Sequence, residues 1–224
     1  MNIKILHRVK GAQQATGCVV IIDVFRAFSL EAYLISKGVT KIIPVSRTID
    51  AIEYKKQDPN ILLAGERYGK LIPGFDLANS PSQINVDVNG KVVVHTTSSG
   101  TQGIVNAIHA DTILTGSLVN AKAIVKYIKD NKFEDISLVC MGILDEETDE
   151  DNLCASYIKN LLLGYDDDIT SEIEKLKVTS GYRFFEKDLQ ESFPESDFYL
   201  CTDLNKFNFV LKLEDGKYLK RIDV

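Results

Sequence analysis

The chain is predicted to adopt an α/β fold built on a mainly parallel sheet with local antiparallel hairpins. Three observations support this. Cys18-Val19-Val20-Ile21-Ile22 is an unbroken apolar run of strand length, the pattern of a strand covered on both faces. Short β-branched runs alternate with stretches of helical periodicity from residue 18 to residue 64, as in βαβ units. Asn89-Gly90 and Asp215-Gly216 each separate two apolar-alternating runs, a strong local signal for a hairpin turn.

Taken in order, Ile3 to Leu6 and Cys18 to Ile22 are predicted strands. Ser29 to Lys37 is a predicted helix stopped by Gly38. Glu31 falls on this helix, where a charge is expected to face solvent. Lys41 to Val45 is the next strand, Thr48 to Lys56 the next helix, and Ile61 to Ala64 a further strand. The loop from Gly65 to Ser82 exceeds the usual connection length, a trait of functional loops. Ile84, Val86 and Val88 alternate with polar residues and are expected to pair antiparallel with Lys91 to His95 through Asn89-Gly90. Beyond Thr101, Ile104, Val105 and Ile108 share a helical face. Thr112 to Thr115 and Ile136 to Cys140 read as strands flanking a helix over Val119 to Lys129. The acidic run Asp145 to Asp151 leads into a helix carrying Leu153, Tyr157, Ile158, Leu161 and Leu162. Ser171 to Lys177 and Tyr182 to Gln190 are weaker helices, and Phe198 to Cys201 reads as a strand. The last hairpin joins Phe209 to Leu213 with Tyr218 to Ile222. No linker, repeat or low-complexity segment divides the 224 residues, so one domain is expected over 1–224.

Composition narrows the function classes. A net charge of −6 and a pI near 5.2 argue against a nucleic-acid surface. An anionic ligand therefore needs local cations, backbone amides or a metal. The four cysteines are widely spaced and lack a C-x-x-C pair, which points to buried free thiols in a reducing compartment rather than a zinc cage. No apolar run approaches the roughly 20 residues of a membrane span, and the N-terminus does not resemble a signal peptide. A cytoplasmic protein is expected.

The candidate chemistry gathers at predicted strand ends. Asp23 ends the most apolar strand, where open α/β sheets bind ligands. A carboxylate there can hold Mg²⁺, attack as a nucleophile, or cap the following turn. Arg26, three residues on, can pair with a phosphate or a sulfonate. Glu66-Arg67 places a metal-directed or general-base carboxylate beside an anion clamp, or forms a local ion pair. Thr96-Thr97-Ser98-Ser99-Gly100-Thr101 follows a strand and opens a helix. An N-cap needs one hydroxyl; five, with a permissive glycine and unpaired first-turn amides, suit an oxyanion cradle. It is not a Walker loop, because no lysine follows the glycine. Asp76-Leu77-Ala78-Asn79-Ser80-Pro81 is also consistent with turn chemistry alone. Thr148 to Asp151 resembles a capping box, and its acids suit a helix N-terminus or a metal at the neighbouring strand end. His7, His95 and His109 are scattered, and only His95 abuts the hydroxyl loop. No cysteine has an arginine six positions on, and Asp23 lacks a second aspartate two residues later. Two common phosphatase signatures are therefore missing.

These residues, together and in order, resemble the 2-phosphosulfolactate phosphatase family. The resemblance runs through Asp23-Val24-Phe25-Arg26-Ala27, Gly65-Glu66-Arg67, Ile72 to Pro81, Thr96 to Thr101, and Glu150-Asp151 before Cys154-Ala155. The chain departs from the family pattern at Ser99, where the family carries Asn, and at Ala78 or Ser156, where it carries Gly. The resemblance implies a three-layer α/β/α, Mg²⁺-dependent phosphoric monoester hydrolase. Its reaction would convert 2-phospho-3-sulfolactate, or a related small phosphorylated hydroxy acid, to 3-sulfolactate and phosphate. In some organisms that step belongs to coenzyme M biosynthesis. The expected catalytic set is Asp23, Arg26, Glu66 and Arg67. The expected substrate ligands are Asn79, Ser80 and Thr96 to Thr101, including Thr97, Ser98, Ser99 and Gly100. Asp23, Asp76 and Asp151 are the expected Mg²⁺ ligands. The expected partner is a small phosphorylated or sulfonated acid, with no nucleic acid and no membrane; a homo-oligomer is left open. The rival reading is a non-catalytic anion-binding or regulatory module using the same loops.

Overall fold

The computed structural model describes residues 1–143 and 146–224. The sheet strands are β1 (Asn2–His7), β2 (Gly17–Ile22), β3 (Lys41–Pro44), β4 (Leu62–Arg67), β5 (Lys70–Leu71), β6 (Val92–Thr96), β7 (Ala110–Gly116), β8 (Asp135–Cys140), β9 (Phe209–Glu214) and β10 (Tyr218–Asp223). The helices are α1 (Arg8–Gln14), α2 (Ala27–Ser36), α3 (Thr48–Gln57), α4 (Gly100–Asn106), α5 (Ala121–Asp130), α6 (Asp149–Leu163), α7 (Thr170–Leu176) and α8 (Glu195–Cys201).

All ten strands join one sheet in the order β1-β8-β2-β7-β9-β10-β3-β6-β4-β5. Two parallel groups, β1-β8-β2-β7 and β3-β6-β4, flank the antiparallel β9–β10 hairpin. The hairpin forms across Asp215-Gly216 as expected, with both residues at positive φ. Its place in the middle of the sheet has no local sequence signal. Its seams are thin: only Leu114 and Thr115 pair with β9, and Leu219 pairs with Ile42. At about 20–25° per strand, the five steps from β2 to β6 accumulate roughly 100–125° of rotation. Twist and thin seams together let the carboxyl ends of the two parallel groups meet at one cleft.

Strand parity explains the layers. Val19 and Ile21 face α1, α2 and α4, whereas Cys18, Val20 and Ile22 face α5 and α6. In the other group Val93 faces α2, while Val94 faces α3 with Leu63 and Ala51. The result is the three-layer α/β/α arrangement. All four cysteines are buried free thiols. Among the described residues no helix is long and apolar enough to cross a membrane.

Four local expectations are corrected. Ile84 to Val88 forms no strand. Gly90 N–H bonds to the Gly38 carbonyl at the end of α2, so the Asn-Gly turn docks on a helix end, and β6 pairs parallel with β3 and β4. Phe198 to Cys201 belongs to helix α8, not to a strand. Pro194 caps that helix, and Glu195 and Asp197 lie in its first turn, where carboxylates are stabilised by the helix dipole. Glu31 does not face solvent. α2 is buried from Ala27 to Ile35, and Glu31 Oε1 lies 2.8 Å from His95 Nδ1 with both side chains fully buried. Tyr182 to Gln190 forms two short 3₁₀ turns rather than a helix, and α1 and β5 are additional elements.

The Glu31–His95 pair bridges α2, the helix that follows Asp23, to β6, the strand that leads into the hydroxyl loop. Removing one partner leaves the other buried and uncompensated. Glu31→Leu and His95→Leu are each expected to lower the unfolding free energy by about 3 kcal/mol, with the double variant well short of the sum. Denaturant titration of the four proteins checks this; strict additivity would show that the two side chains are not coupled.

Candidate active site

A cavity of about 190 Å³ opens where the carboxyl ends of β2, β4, β6 and β8 converge. Pockets for drug-sized ligands run to roughly 300–1,000 Å³, so this one suits a small acid. Asp23, the residue after β2, lies in its wall and is 6% exposed. Asp23 Oδ1 accepts the Ala27 N–H at 3.1 Å. A Cβ added to Gly100 would sit 2.7 Å from Asp23 Oδ2 and 3.0 Å from Ala27 Cβ. The start of α4 therefore approaches the carboxylate as closely as a residue without a side chain allows. Burial, then the neighbouring Glu150, Glu66 and Glu31, outweigh the Ala27 bond and push the Asp23 carboxyl up to about 7.

The hydroxyl loop divides its work. Thr97 Oγ1 accepts the Thr101 N–H at 3.1 Å, and Thr101 Oγ1 accepts the Thr97 N–H at 3.0 Å, closing the turn on itself. Thr96 Oγ1 accepts from Arg67. Ser98 and Ser99 line the cavity, and Ser99 is the N-cap of α4. The first amides of a helix have no intrahelical acceptor. Glu66, on β4, is also in the wall. Its two carboxylate oxygens accept N–H groups from Ser98 (3.0 Å) and Gly69 (2.8 Å), so it pins the loop to the β4–β5 turn.

The other expected residues separate into two groups. Arg26 lines the cavity, but its guanidinium donates to Asp197 Oδ2 at 2.6 Å; the two side chains are 3% and 0% exposed. Asn79 reaches the cavity wall, and its buried Oδ1 has no partner among the described residues. Ser80 donates to Asp197 instead of standing free. Arg67 turns away toward Thr48 and Thr96 and does not line the cavity. Asp76 lies in a separate surface hollow, paired with Lys55 at 2.9 Å and accepting the Leu63 N–H.

Asp151 does not close a capping box with Thr148, whose hydroxyl makes no bond among the described residues. Its oxygens leave the helix to accept the Val24 N–H (2.8 Å) and the Gly142 N–H (2.9 Å), tying β2 and β8 to α6. Burial, with Glu150 and Asp23 nearby, raises the Asp151 carboxyl well above its ordinary range; burial raises Glu150 as well. Asp145 of the same acidic run lies outside the described residues.

The expected ligands Asp23, Asp76 and Asp151 do not assemble into one metal cage, and no three His, Cys, Asp or Glu side chains are arranged to hold a metal among the described residues. Mg²⁺ commonly takes only one or two carboxylates, completing its shell with water and substrate oxygens. Asp23, with the buried Glu150 near enough to raise its carboxyl, offers hard oxygen donors that fit such a site.

Sequence reasoning missed Arg183 and Phe193, which line the cavity from the far end of the chain. The available signal was an arginine among aromatics, Tyr182-Arg183-Phe184-Phe185. Gly69 lies against Phe193. At φ 77° it closes the β4–β5 turn, and a Cβ there would collide with the Phe193 ring at 2.2 Å.

The raised Asp23 carboxyl has a stability consequence. Between about pH 4 and pH 7 the folded protein keeps a proton that the unfolded chain has lost, so this group makes stability fall as pH rises through that window. Asp23→Asn removes the penalty while its amide oxygen can still accept from Ala27. In chelator-treated buffer the variant is expected to be more stable than the parent by roughly 2 kcal/mol at pH 8, and by less at pH 5. Urea midpoints at the two pH values test this; a less stable variant at pH 8 would refute it.

Comparison with known proteins agrees with this geometry. The sequence model of the 2-phosphosulpholactate phosphatase family matches residues 4–216. A protein of Caldicellulosiruptor saccharolyticus named "probable 2-phosphosulfolactate phosphatase" is 38% identical over 200 residues, covering 87% of this chain and 82% of that protein. Proteins with the same name from Caldanaerobacter subterraneus and Thermotoga maritima are each 33% identical, covering 88% and 89% of this chain and 88% and 90% of their own lengths. The matched span takes in Asp23, Glu66, the hydroxyl loop, Asp151 and Arg183, and the chain belongs to the 2-phosphosulpholactate phosphatase family of phosphoric monoester hydrolases.

Proposed function

We propose that this protein hydrolyses 2-phospho-3-sulfolactate, or a closely related small phosphorylated hydroxy acid, to 3-sulfolactate and phosphate. The observation that carries the reading is the approach of Asp23 Oδ2 to the Gly100 backbone inside one small cavity. A buried carboxylate there faces a helix start bearing the Ser98 and Ser99 hydroxyls and the Ser99 and Gly100 N–H groups, which make no hydrogen bond among the described residues. This pairing suits phosphoryl transfer, which depends on positioning and electrostatic stabilisation.

In the proposed reaction the Ser99 and Gly100 N–H groups, with the Ser98 and Ser99 hydroxyls, hold non-bridging phosphoryl oxygens. Glu66 keeps that loop in register through the Ser98 N–H. Asp23 is the carboxylate at the phosphoryl group, as a metal ligand or as the attacking group. Overall, water adds to phosphorus, the P–O bond to the substrate carbon skeleton breaks, and the alkoxide oxygen leaves protonated as the 2-hydroxyl. Mg²⁺, held by Asp23 with Glu150 nearby, would supply charge neutralisation and polarise the phosphoryl oxygens. The same reading makes the protein a cytoplasmic enzyme, and in organisms that make coenzyme M it would serve that biosynthesis.

Phosphate release from 2-phospho-3-sulfolactate is expected to require Mg²⁺ and to stop with chelator; full turnover after exhaustive chelation would discard the metal. Asp23→Asn is expected to lower kcat at least about 100-fold, or roughly 2.7 kcal/mol, while exposed Asp130→Asn on α5 leaves it unchanged. Gly100→Val is expected to abolish phosphate binding by driving its side chain against Asp23 and Ala27. Binding of phosphate with no turnover of any small phosphorylated acid would favour the non-catalytic module.

A further inference from the structure

We propose that Arg183, stacked on Phe193, recognises the sulfonate of the substrate and sets the preference for a sulfonated over an unsulfonated phosphoester. This rests on the proposed phosphatase reading and deepens it.

The argument begins with charge. The cavity wall carries two carboxylates, Asp23 and Glu66, and two guanidinium groups, Arg26 and Arg183. A substrate bearing phosphate, carboxylate and sulfonate therefore meets a wall with as many acids as guanidinium groups, and every cation already spent on a protein acid weakens its binding. Arg26 is spent in this way. It is 3% exposed and bonded to Asp197, and its second nitrogen is 3.5 Å from the Gly69 carbonyl. Arg183 makes no hydrogen bond or ion pair among the described residues. Glu150, the acid whose charge it influences, is buried within α6.

Its placement is fixed all the same. The guanidinium carbon lies 4.8 Å from the Phe193 ring centroid, and that of Arg26 lies 4.8 Å from the same centroid. Stacking holds a guanidinium by its face and leaves its edge N–H groups free to donate. The neighbouring Phe184 is 2% exposed and packs edge-on against Phe25 at 5.0 Å, beside Arg26. Arg183 thus stands on an anchored 3₁₀ turn (Tyr182–Phe185), with its fork available to a planar or tripodal oxyanion. The phosphoryl group already has its ligands at the start of α4, which leaves Arg183 for the other anionic end.

The test compares 2-phospho-3-sulfolactate with 2-phospholactate, which lacks the sulfonate, using the parent, Arg183→Gln and Arg183→Lys. Arg183→Gln is expected to raise KM for the sulfonated substrate roughly 10–100-fold, with kcat little changed and 2-phospholactate kinetics nearly unaffected. Arg183→Lys keeps the charge but loses the fork, and is expected to fall between. Calorimetric titration with 3-sulfolactate and with lactate reads the same preference without turnover. An inactive parent that still binds 3-sulfolactate in an Arg183-dependent way would sink the phosphatase reading and keep this one. Equal losses on both substrates, or none on either, would overturn the assignment of Arg183.

Discussion

Asp197 is the point on which the site's architecture depends. It lies on α8, is fully buried, and accepts three hydrogen bonds from distant parts of the chain. Arg26 comes from the turn after β2, and the Ser80 hydroxyl and Ser82 N–H from the loop between β5 and β6. Removing one member of a buried charge pair commonly costs 3–5 kcal/mol, because the other is left without a partner. Here it would also release the segment that carries Phe193 and Arg183 over the cavity. The arginine nearest Asp23 in sequence thus spends its charge on assembly, and the burden of ligand recognition shifts to residues far along the chain.

The acids show the opposite balance. Asp23, Glu150 and Asp151 are buried together, and each is pushed toward its protonated form. A fold optimised for stability alone would not collect them. Asp151 offsets part of the cost through two backbone amides, and Glu66 through two more. Asp23 has one such bond, and its other oxygen faces the helix start. Of Asp23, Glu150 and Asp151, Asp23 is the one in the cavity wall, and a raised, thinly compensated carboxylate in a cleft is a common signature of one retained for binding or chemistry.

Much of this was readable in the sequence where the physics is local. The β2 run announced a strand covered on both sides, and Asp215-Gly216 announced its hairpin. The hydroxyl loop after β6 could be recognised because one cap needs one hydroxyl and five are present. Reading failed where a distant partner decided the outcome. Asn89-Gly90 turns the chain, but the carbonyl of Gly38 claims its amide, so no hairpin follows. Phe198 to Cys201 has strand-like composition, yet Pro194 and Asp197 start a helix there. Glu31 obeyed no surface rule because α2 is enclosed and His95 waits across the interface. Arg183 and Phe193 join the site by tertiary packing alone, and no spacing from Asp23 could have indicated them.

The central position of β9 and β10 has a consequence for how the chain is made. Both parallel groups leave the ribosome before the two strands that bridge them. Until the hairpin is synthesised, β7 and β3 are open sheet edges, with unpaired backbone groups able to recruit another chain. The nascent protein is therefore two sheets waiting for a seam, and its exposure to misassembly ends only when the last strands of that sheet are inserted.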